Sequence, residues 1–393
     1  MSSNAQVPSS STADHSESAL PRMMDLSNDT LGRIHPNDLD DMLDESDQQN
    51  DAHVLDNTQV DNNINKNVED AMQPLYPDCD GQHTKLSSVV ELLSIKSRHK
   101  GSEALFTELL QFMKKVLPDG CTLPENCQKA TAIIKPYRMS YEIIHACPND
   151  YILYWRENAD RDSCPNCNVS RWKPHDPSKP VSKNVPVKKL RYFSVTKRLQ
   201  RMYSIPWIAK EMSWHSRVEN YNTHMRHPVD SPSWKKVDRL WPSFADETRN
   251  VRLGLATDGF NPFGTNDPHS CWHAMLVPYN IPTSLYMSQD FTMLTLLIPG
   301  PYDPEHNIDV YLQPLIEELK ELWSVGSTTY DAKMKSDFTM KVLLMWCMHD
   351  FPAYAHVSGC RTAGEYVCPV CSEQIDSQWL KYGRKFVYMG VCG

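Results

Sequence analysis

The sequence predicts an α/β protein whose main domain is a mixed β-sheet with helices packed beside it. Alternating apolar residues indicate strands within residues 250–350, an amphipathic helix interrupts these strands, and two helical patterns precede them. The first 72 residues differ, because Ser, Asn, Asp and Gln dominate and aromatic residues are few. Such a segment has too little apolar surface to bury, so a disordered tail is predicted there.

Composition and pattern divide the chain into four predicted segments. Residues 1–72 form the acidic tail, 73–135 a small helical unit, 136–245 a zinc-knuckle and basic region, and 246–393 the sheet domain. Two apolar faces at helical spacing define the helical unit, and both are expected to be core. The first comprises Leu86, Val89, Val90, Leu92 and Leu93, and the second comprises Leu105, Leu109, Leu110, Met113 and Val116.

Charge is distributed unevenly along the chain. The formal net charge is −9, but residues 1–80 hold 17 acidic and 3 basic residues, so the remainder is basic by 5 charges. The tail is interpreted either as a partner-binding or autoinhibitory arm or as a solvating segment without a specific role. The sequence has no signal-peptide pattern and no apolar run of about 18 residues, so no membrane span is expected.

The sheet domain is predicted from its strand pattern. Val251, Leu253 and Leu255 alternate with smaller or polar residues and indicate a strand, after which Gly259 is expected to let the chain turn. Two more strands are predicted at 271–278 and 292–298, and a fourth at 342–348. Between the third and fourth, a helix is predicted to begin near Pro314, since proline is tolerated in a first turn. Its apolar residues are Leu315, Ile316, Leu319, Leu322 and Trp323.

Two aspartates end the first and fourth of these strands. A crossing helix allows the two strands to lie side by side, which would bring Asp258 and Asp350 together. Paired carboxylates repel each other unless a cation lies between them, and hard oxygen ligands suit Mg²⁺ or Mn²⁺. Metal pairs of this kind catalyse in-line displacement at phosphorus. The alternative is that Asp-Gly and Asp-Phe-Pro are ordinary turn sequences.

Several motifs resemble a known family. The stretch 253–264 contains Ala-Thr-Asp-Gly-Phe-Asn-Pro-Phe-Gly, 297–322 begins Leu-Ile-Pro-Gly-Pro, and Asp350-Phe-Pro-Ala-Tyr precedes Cys368-Pro-Val-Cys371. These motifs resemble the catalytic core of transposases of plant CACTA-type (En/Spm-like) DNA transposons, and the resemblance covers residues 75–389. It implies an RNase H-like fold, nuclear location and a three-acid metal site that cuts and joins the double-stranded DNA of transposon ends. Asp258 would be its first acid and Asp350 its second.

The chain departs from the family after Asp350. In the family a glutamate on a later helix is the third acid, and a histidine with a basic stretch follows Tyr-Met-Gly, where this chain reads Val391-Cys392-Gly393. The sequence is therefore expected to be a truncated RNase H-like core that cleaves little DNA alone. The alternatives are a non-catalytic DNA-binding or partner-binding protein and an unstable fragment. A homo-oligomer and an accessory transposon protein are both considered as assembly partners.

Cysteine spacing predicts structural Zn²⁺. Cys147 and the pair Cys164-Pro-Asn-Cys167 supply three thiolates, and His145 or His175 would be the fourth ligand, because Tyr151 stands where related transposases carry another cysteine. Twelve cysteines without a secretory signal argue against a disulfide framework. Cys368 and Cys371 form a second, incomplete pair, for which His349, His356, Cys360 or Cys392 are substitutes for the family's later histidine. Unligated reduced cysteines are the alternative for both groups.

Residues 168–217 form a basic stretch with 12 Lys/Arg and 2 acidic residues. Positive charge binds the phosphate backbone, and interleaved aromatic residues such as Tyr192, Phe193 and Tyr203 can stack on bases. The alternative is a solvated basic face whose aromatic residues lie in the core. A helix over 190–205 would present the basic residues, although no clear period supports it. The predicted DNA-binding residues are Lys188, Lys189, Arg191, Lys197, Arg198 and Arg201.

Overall fold

The computed structural model describes residues 73–79, 83–99, 101–134, 140–174, 185–217, 225–260, 270–286, 288, 290–304, 307–359, 364–368 and 374–389. The tail predicted for residues 1–72 lies outside these residues. The described residues up to 134 belong to one compact unit, and those from 140 onward belong to a second. Among the described residues, every helix falls short of the length and apolar character that a bilayer span requires.

The described residues of the first unit form three helices: α1 (Lys85–Arg98), α2 (Glu103–Val116) and α3 (Cys127–Ile134). Side chains start the first two helices, since Thr84 accepts a hydrogen bond from the Ser87 N–H and Ser102 accepts one from the Leu105 N–H. The apolar face predicted for α1 is confirmed, with Leu86, Val89, Val90 and Leu93 in the core. The face predicted for α2 is only partly correct.

In α2 the core face is formed by Phe106 and Leu110. Leu105, Leu109 and Val116, which the sequence placed in the core, are exposed. The helix has apolar residues over about half its circumference, and the other two helices cover only one side of that arc. Periodicity therefore identified the helix correctly but not the part of it that is buried.

The second unit contains the described strands. These are β1 (Glu142–Ala146), β2 (Leu153–Tyr154), β3 (Lys188–Tyr192), β4 (Val251–Phe260), β5 (Cys271–Pro278), β6 (Met293–Ile298), β7 (Ser327–Asp331), β8 (Ser336–Met340), β9 (Val342–Met348), β10 (Ser377–Leu380) and β11 (Lys385–Tyr388). Seven of them form one mixed sheet in the order β2-β1-β3-β6-β5-β4-β9. Only the β4–β9 pair is parallel. The pairs β7–β8 and β10–β11 are separate hairpins.

The helices of this unit connect and cover the sheet. They are α4 (Val195–Tyr203), α5 (Pro206–Glu211), α6 (Pro232–Leu240), α7 (Pro242–Ala245), α8 (Thr283–Tyr286), α9 (Ile308–Ser324) and α10 (Phe351–Ser358). The longest, α9, crosses between β6 and β9 and packs on β9, β6 and β3. It buries Tyr311, Leu312 and Leu315. This crossing lets β9 return parallel to β4.

The predicted strands are present with small differences. β5 and β9 have the predicted bounds, and β6 begins one residue later than expected. Gly259 does not start a turn, because β4 continues to Phe260. A Cβ at this glycine would lie 2.8 Å from the Trp272 ring, so close packing of the indole explains the glycine.

Two features were predicted wrongly around the crossing helix. α9 begins at Ile308, so Pro314 lies inside the helix rather than in its first turn. Its missing N–H removes one helical hydrogen bond, which the buried neighbours compensate. The hairpin β7–β8 between α9 and β9 was not predicted. Likewise, the stretch 190–205 holds the end of β3 and then α4 rather than one continuous helix.

A buried arginine fixes the start of β4. Arg252 is 1% exposed, and its guanidinium lies 4.3 Å from the Trp234 ring and 4.8 Å from the Phe244 ring. Its Nη2 donates to Asp238 Oδ1 at 2.6 Å. Because Trp234 and Asp238 belong to α6 and Phe244 to α7, this one side chain joins both helices to the strand that carries Asp258.

Candidate metal centres

The two predicted acids lie at the same end of two neighbouring parallel strands, Asp258 within β4 and Asp350 just past the end of β9. The β4–β9 ladder pairs Ala256 with Met348, and two residues further along the two chains come Asp258 and Asp350. Adjacent strands are about 4.8 Å apart, so the register brings the backbones of these two residues to the same end of neighbouring strands. The predicted adjacency of the two strands is thus present in the sheet.

Each carboxylate accepts a hydrogen bond from the backbone N–H of a nearby residue and is exposed to solvent. Asp258 Oδ1 accepts a hydrogen bond from the Gly259 N–H at 2.7 Å. Asp350 is the N-cap of α10, and its Oδ1 accepts from the Ala353 N–H at 2.9 Å. Both side chains are exposed. One oxygen of each acid is therefore oriented by the chain, while the second oxygen can reach a cation.

A histidine ties the two strands together directly before the acids. His349 Nδ1 lies 3.2 Å from the Thr257 N and 3.1 Å from its Oγ1. The backbone N–H must donate, so Nδ1 accepts and the ring hydrogen lies on Nε2. Burial lowers the pKa of His349, which keeps the ring neutral at neutral pH. The imidazole thus extends the β4–β9 connection by one bond beyond the ladder.

A second histidine lies opposite the first acid on the neighbouring strand. His273 of β5 pairs with Asp258 in the antiparallel register. Burial lowers the pKa of His273, although the charge of Asp258 opposes this shift. Its ring contacts Phe260 with centroids 5.4 Å apart. Sequence reasoning did not single out His273, because only the strand register reveals its position beside Asp258.

No third carboxylate joins the pair among the described residues, where the only group of three or more candidate metal ligands consists of cysteines. The half-buried acid of α9, Glu318, serves another purpose. Its Oε1 accepts from Ser194 Oγ at 2.7 Å and the Thr196 N–H at 3.0 Å. Its Oε2 accepts from the Val195 N–H at 3.0 Å and the Tyr192 hydroxyl. These donors cap the start of α4, so Glu318 is a structural residue.

Three cysteines from two loops form the cluster that could hold a metal ion. The sulfurs of Cys147, Cys164 and Cys167 lie within 4.8 Å of one another, and Cys147 and Cys167 are 3.5 Å apart. The Asn168 N–H donates to the Cys164 carbonyl at 2.8 Å, which closes the turn that aims two thiols at one point. Burial raises the pKa of the Cys147 thiol to about 12. Three soft donors converging in a buried position fit Zn²⁺.

The predicted fourth ligand is not part of this cluster. His145 Nδ1 accepts a hydrogen bond from Arg171 Nε at 2.8 Å, and His145 lies outside the group of converging sulfurs. The alternative, His175, lies outside the described residues. Tyr154 is buried beside the cysteines, and burial, together with the charges of the cysteines, raises its pKa to about 12. Sequence spacing gave no signal for this tyrosine.

The second cysteine pair is only partly described. Cys368 is half-buried, whereas Cys371, Cys360 and Cys392 lie outside the described residues. His349 accepts a hydrogen bond from the Thr257 N–H through its Nδ1. The His356 ring packs at 5.0 Å from the Trp272 ring.

The predicted DNA-binding residues are mostly part of the fold. Lys188 is buried and pairs with Asp150 at 2.5 Å, and the Tyr311 hydroxyl donates to the same carboxylate. Arg191 is 8% exposed. Lys188 is therefore part of an interior ion pair and Arg191 is buried, so neither side chain is exposed for the predicted DNA contact.

The other four residues differ in exposure. Lys189, Arg198 and Arg201 are half-buried, and Lys197 is exposed. Burial lowers the pKa of Arg198 to about 10 and also lowers that of Arg201. The strand β3 that carries Lys188 belongs to the same sheet as β4, so the basic stretch and the acid pair share one structural unit.

Residues 222–392 match the model of the transposase family tnp2. The match covers less than half of the chain, and it supports a transposase function. It includes β4, β9 and both aspartates, but neither the cysteine cluster nor the stretch with Lys188. No curated protein matches the chain.

Proposed function

We propose that the chain is a DNA transposase of the CACTA (En/Spm-like) type with an RNase H-like core, and that it acts on transposon ends in the nucleus. The single observation that carries this proposal is the parallel pairing of β4 with β9, whose paired residues Ala256 and Met348 each precede an aspartate by two positions, within the segment that matches the family. A carboxylate pair at the ends of adjacent strands is suited to hold cations against a DNA phosphate.

The residues fit Mg²⁺ or Mn²⁺ because each acid offers an exposed carboxylate whose other oxygen is fixed by a backbone N–H. When bound, such ions activate water and stabilise the leaving oxygen of a phosphodiester. Asp258 and Asp350 would orient the ions, and His349 would keep the two strand ends at a constant separation. His273 would flank the first acid from the neighbouring strand β5.

The number of carboxylates at the two aspartates, among the described residues, favours a second candidate function. No third carboxylate reaches the pair in the part of the chain that the structure describes. We therefore propose that this chain alone cleaves DNA weakly, as the sequence predicted. The alternative function is a DNA-binding or partner-binding protein derived from a transposase, in which both acids are relics.

Structural Zn²⁺ belongs to the same proposal. Cys147, Cys164 and Cys167 would hold one ion beside β1 and β2. This ion would fix two loops that have little regular structure of their own. Its fourth ligand would come from Tyr154, from water or from a residue outside the described ones.

The proposed DNA contacts come from exposed basic residues. Beyond Lys197, the β10–β11 hairpin carries Lys381, Arg384 and Lys385 at its tip, all of them exposed. One face of this hairpin holds Trp379 and Phe386, with ring centroids 4.9 Å apart, and Trp379 is half exposed. A basic two-stranded ribbon has the width of the DNA major groove.

The deciding experiment measures Mn²⁺-dependent nicking and binding of transposon-end DNA by the purified full chain. Asp258→Ala and Asp350→Ala remove the pair, and Asp337→Ala on the exposed side of β8 is the matched control. Nicking that both pair variants lose and the control keeps supports the transposase. Binding without nicking in every protein supports the alternative. Failure to bind any DNA contradicts the transposase and the DNA-binding form of the alternative.

The DNA contacts are tested by charge reversal in two hairpins of the same chain. Lys381→Glu, Arg384→Glu and Lys385→Glu together are expected to weaken binding about 10-fold or more. Lys333→Glu with Lys335→Glu in the β7–β8 turn provides the control. Equal loss in both hairpins would indicate non-specific attraction.

A further inference from the structure

Helix α2 has two apolar faces, and only one belongs to the core of its unit. Phe106 and Leu110 are buried in the cluster that α1 and α3 share. The other face carries four large apolar side chains that are about half exposed or more: Leu105 (51%), Leu109 (49%), Phe112 (61%) and Val116 (62%). We call these four residues the α2 stripe.

The spacing of the α2 stripe is that of a helix-pairing seam. Its members are separated by four, three and four positions, which is the a/d pattern of a heptad repeat. Exposed apolar residues are normally scattered singly over a soluble protein. A continuous row along nearly the whole of α2 instead indicates that another helix covers it.

Two opposite charges flank the stripe on one side. At 100° per residue, Glu108 and Lys115 lie beside the stripe on the side away from Phe106. Both are exposed and one heptad apart. The other flank is formed by Phe106 and Met113, which lie in or against the core. Only the Glu108–Lys115 flank is therefore open to a partner's charges.

We propose that the chain forms a homodimer by antiparallel pairing of α2 with α2 of a second copy. A two-fold axis perpendicular to the helices keeps the same flank of both copies on one side of the seam. Glu108 of each copy then faces Lys115 of the other, and Leu109 lies beside Phe112. A parallel pair would instead place both charges against the Phe106 and Met113 flank, which is occupied by the core.

The size of the stripe sets the strength of this dimer. Four side chains of this exposure bury roughly 800 Å² over two copies, which is small for a specific interface. The dimer is accordingly expected to dissociate in the micromolar range or above. The second copy is the partner that this surface fits, because the charges of Glu108 and Lys115 are complementary to themselves in an antiparallel pair.

The test is the mass of the full chain by sedimentation equilibrium from about 1 to 300 µM. The wild type is expected to convert from monomer to dimer across this range. Leu109→Glu with Phe112→Glu is expected to remain monomeric. Glu108→Lys or Lys115→Glu is expected to weaken association about 3- to 10-fold, and the double exchange Glu108→Lys with Lys115→Glu is expected to restore it.

Glu91→Lys on the exposed side of α1 is the matched control and should associate like the wild type. Circular dichroism of every variant verifies folding, which exposed substitutions should leave intact. A wild type that stays monomeric throughout, or dimers that persist without the stripe, would overturn the proposal. A double exchange that fails to restore association would overturn the antiparallel arrangement.

Discussion

Glu318 illustrates how a single buried acid can determine the position of a helix. It accepts four hydrogen bonds at the start of α4, from two backbone N–H groups and from Ser194 and Tyr192. Burial alone would raise its pKa, but these donors outweigh burial and lower the pKa below 4.5. The acid therefore joins α9, β3 and the first turn of α4 in its charged form.

Replacing this acid should weaken the fold in a pH-dependent way. Glu318→Gln is expected to cost about 2–4 kcal/mol of unfolding free energy at pH 7. Because the folded pKa is depressed, the contribution is present above 4.5 and is lost as the pH falls through the folded pKa. Urea unfolding at pH 7 and at an acid pH below the folded pKa measures both values. Glu317→Gln, on the solvent side of α9, should change stability little at either pH.

His349 is a residue whose role concerns geometry rather than charge. His349→Ala removes the acceptor of the Thr257 N–H and frees the two strand ends that carry the acids. The affinity for Mn²⁺, measured by titration calorimetry on the full chain, is expected to fall about 10-fold. His349→Gln supplies an amide oxygen as acceptor and should recover part of the loss.

His99→Ala, at the exposed end of α1, is the control and should leave Mn²⁺ binding unchanged. An unchanged affinity in His349→Ala would show that the ladder alone fixes the two acids. Loss of binding in Asp258→Ala is required in either case, because otherwise the ion binds elsewhere.

Some strands could be predicted from the sequence pattern and others could not. Alternation of Val251, Leu253 and Leu255 predicted β4, since one side of that strand packs entirely inside the protein. The adjacency of β4 and β9 followed from the order of elements. The hairpin β7–β8 was missed because its strands alternate polar residues with few apolar ones, of which Phe338 and Met340 are buried.

Contacts between elements far apart in the chain were also not predictable from the sequence. His145 was a reasonable zinc ligand by spacing, but Arg171 reaches its ring from a loop that spacing does not position. Lys188 looked like a surface charge until Asp150 and Tyr311 were brought against it by the fold. Polar residues that pair with partners far along the chain cannot be assigned from local pattern.

The loops that carry Cys147, Cys164 and Cys167 are predicted to bind one zinc ion. Purified protein is expected to contain about one Zn²⁺, and Cys164→Ser should lose it. Because the ion would join loops around β1 and β2, removal by a chelator is expected to lower Tm by about 5 °C or more. Cys121→Ser, in the other unit and outside the cluster, should retain both metal and Tm. Metal that persists in Cys164→Ser would place it at another site.

For the whole molecule, charge is divided between two regions of opposite sign. Residues 1–80 carry 17 acidic and 3 basic residues, whereas the rest of the chain has an excess of 5 basic residues. The net charge of −9 would oppose approach to DNA if it were spread evenly. We expect an acidic tail linked to a basic body to compete with DNA phosphate for the same surface, at a high effective concentration.

Deleting residues 1–72 is therefore expected to raise the affinity for DNA about 3- to 10-fold in low salt, with the gain shrinking as ionic strength rises. Fluorescence anisotropy over a salt series measures it. A full-length variant has the six acidic residues of 38–47 changed to Asn or Gln. It distinguishes the effect of the tail's charge from that of its volume, because the tail itself is still present. An equal gain in both proteins supports electrostatic competition, whereas a gain from deletion alone supports steric occlusion. No gain in either would show that the tail only solvates the chain, and that the basic body meets DNA unopposed.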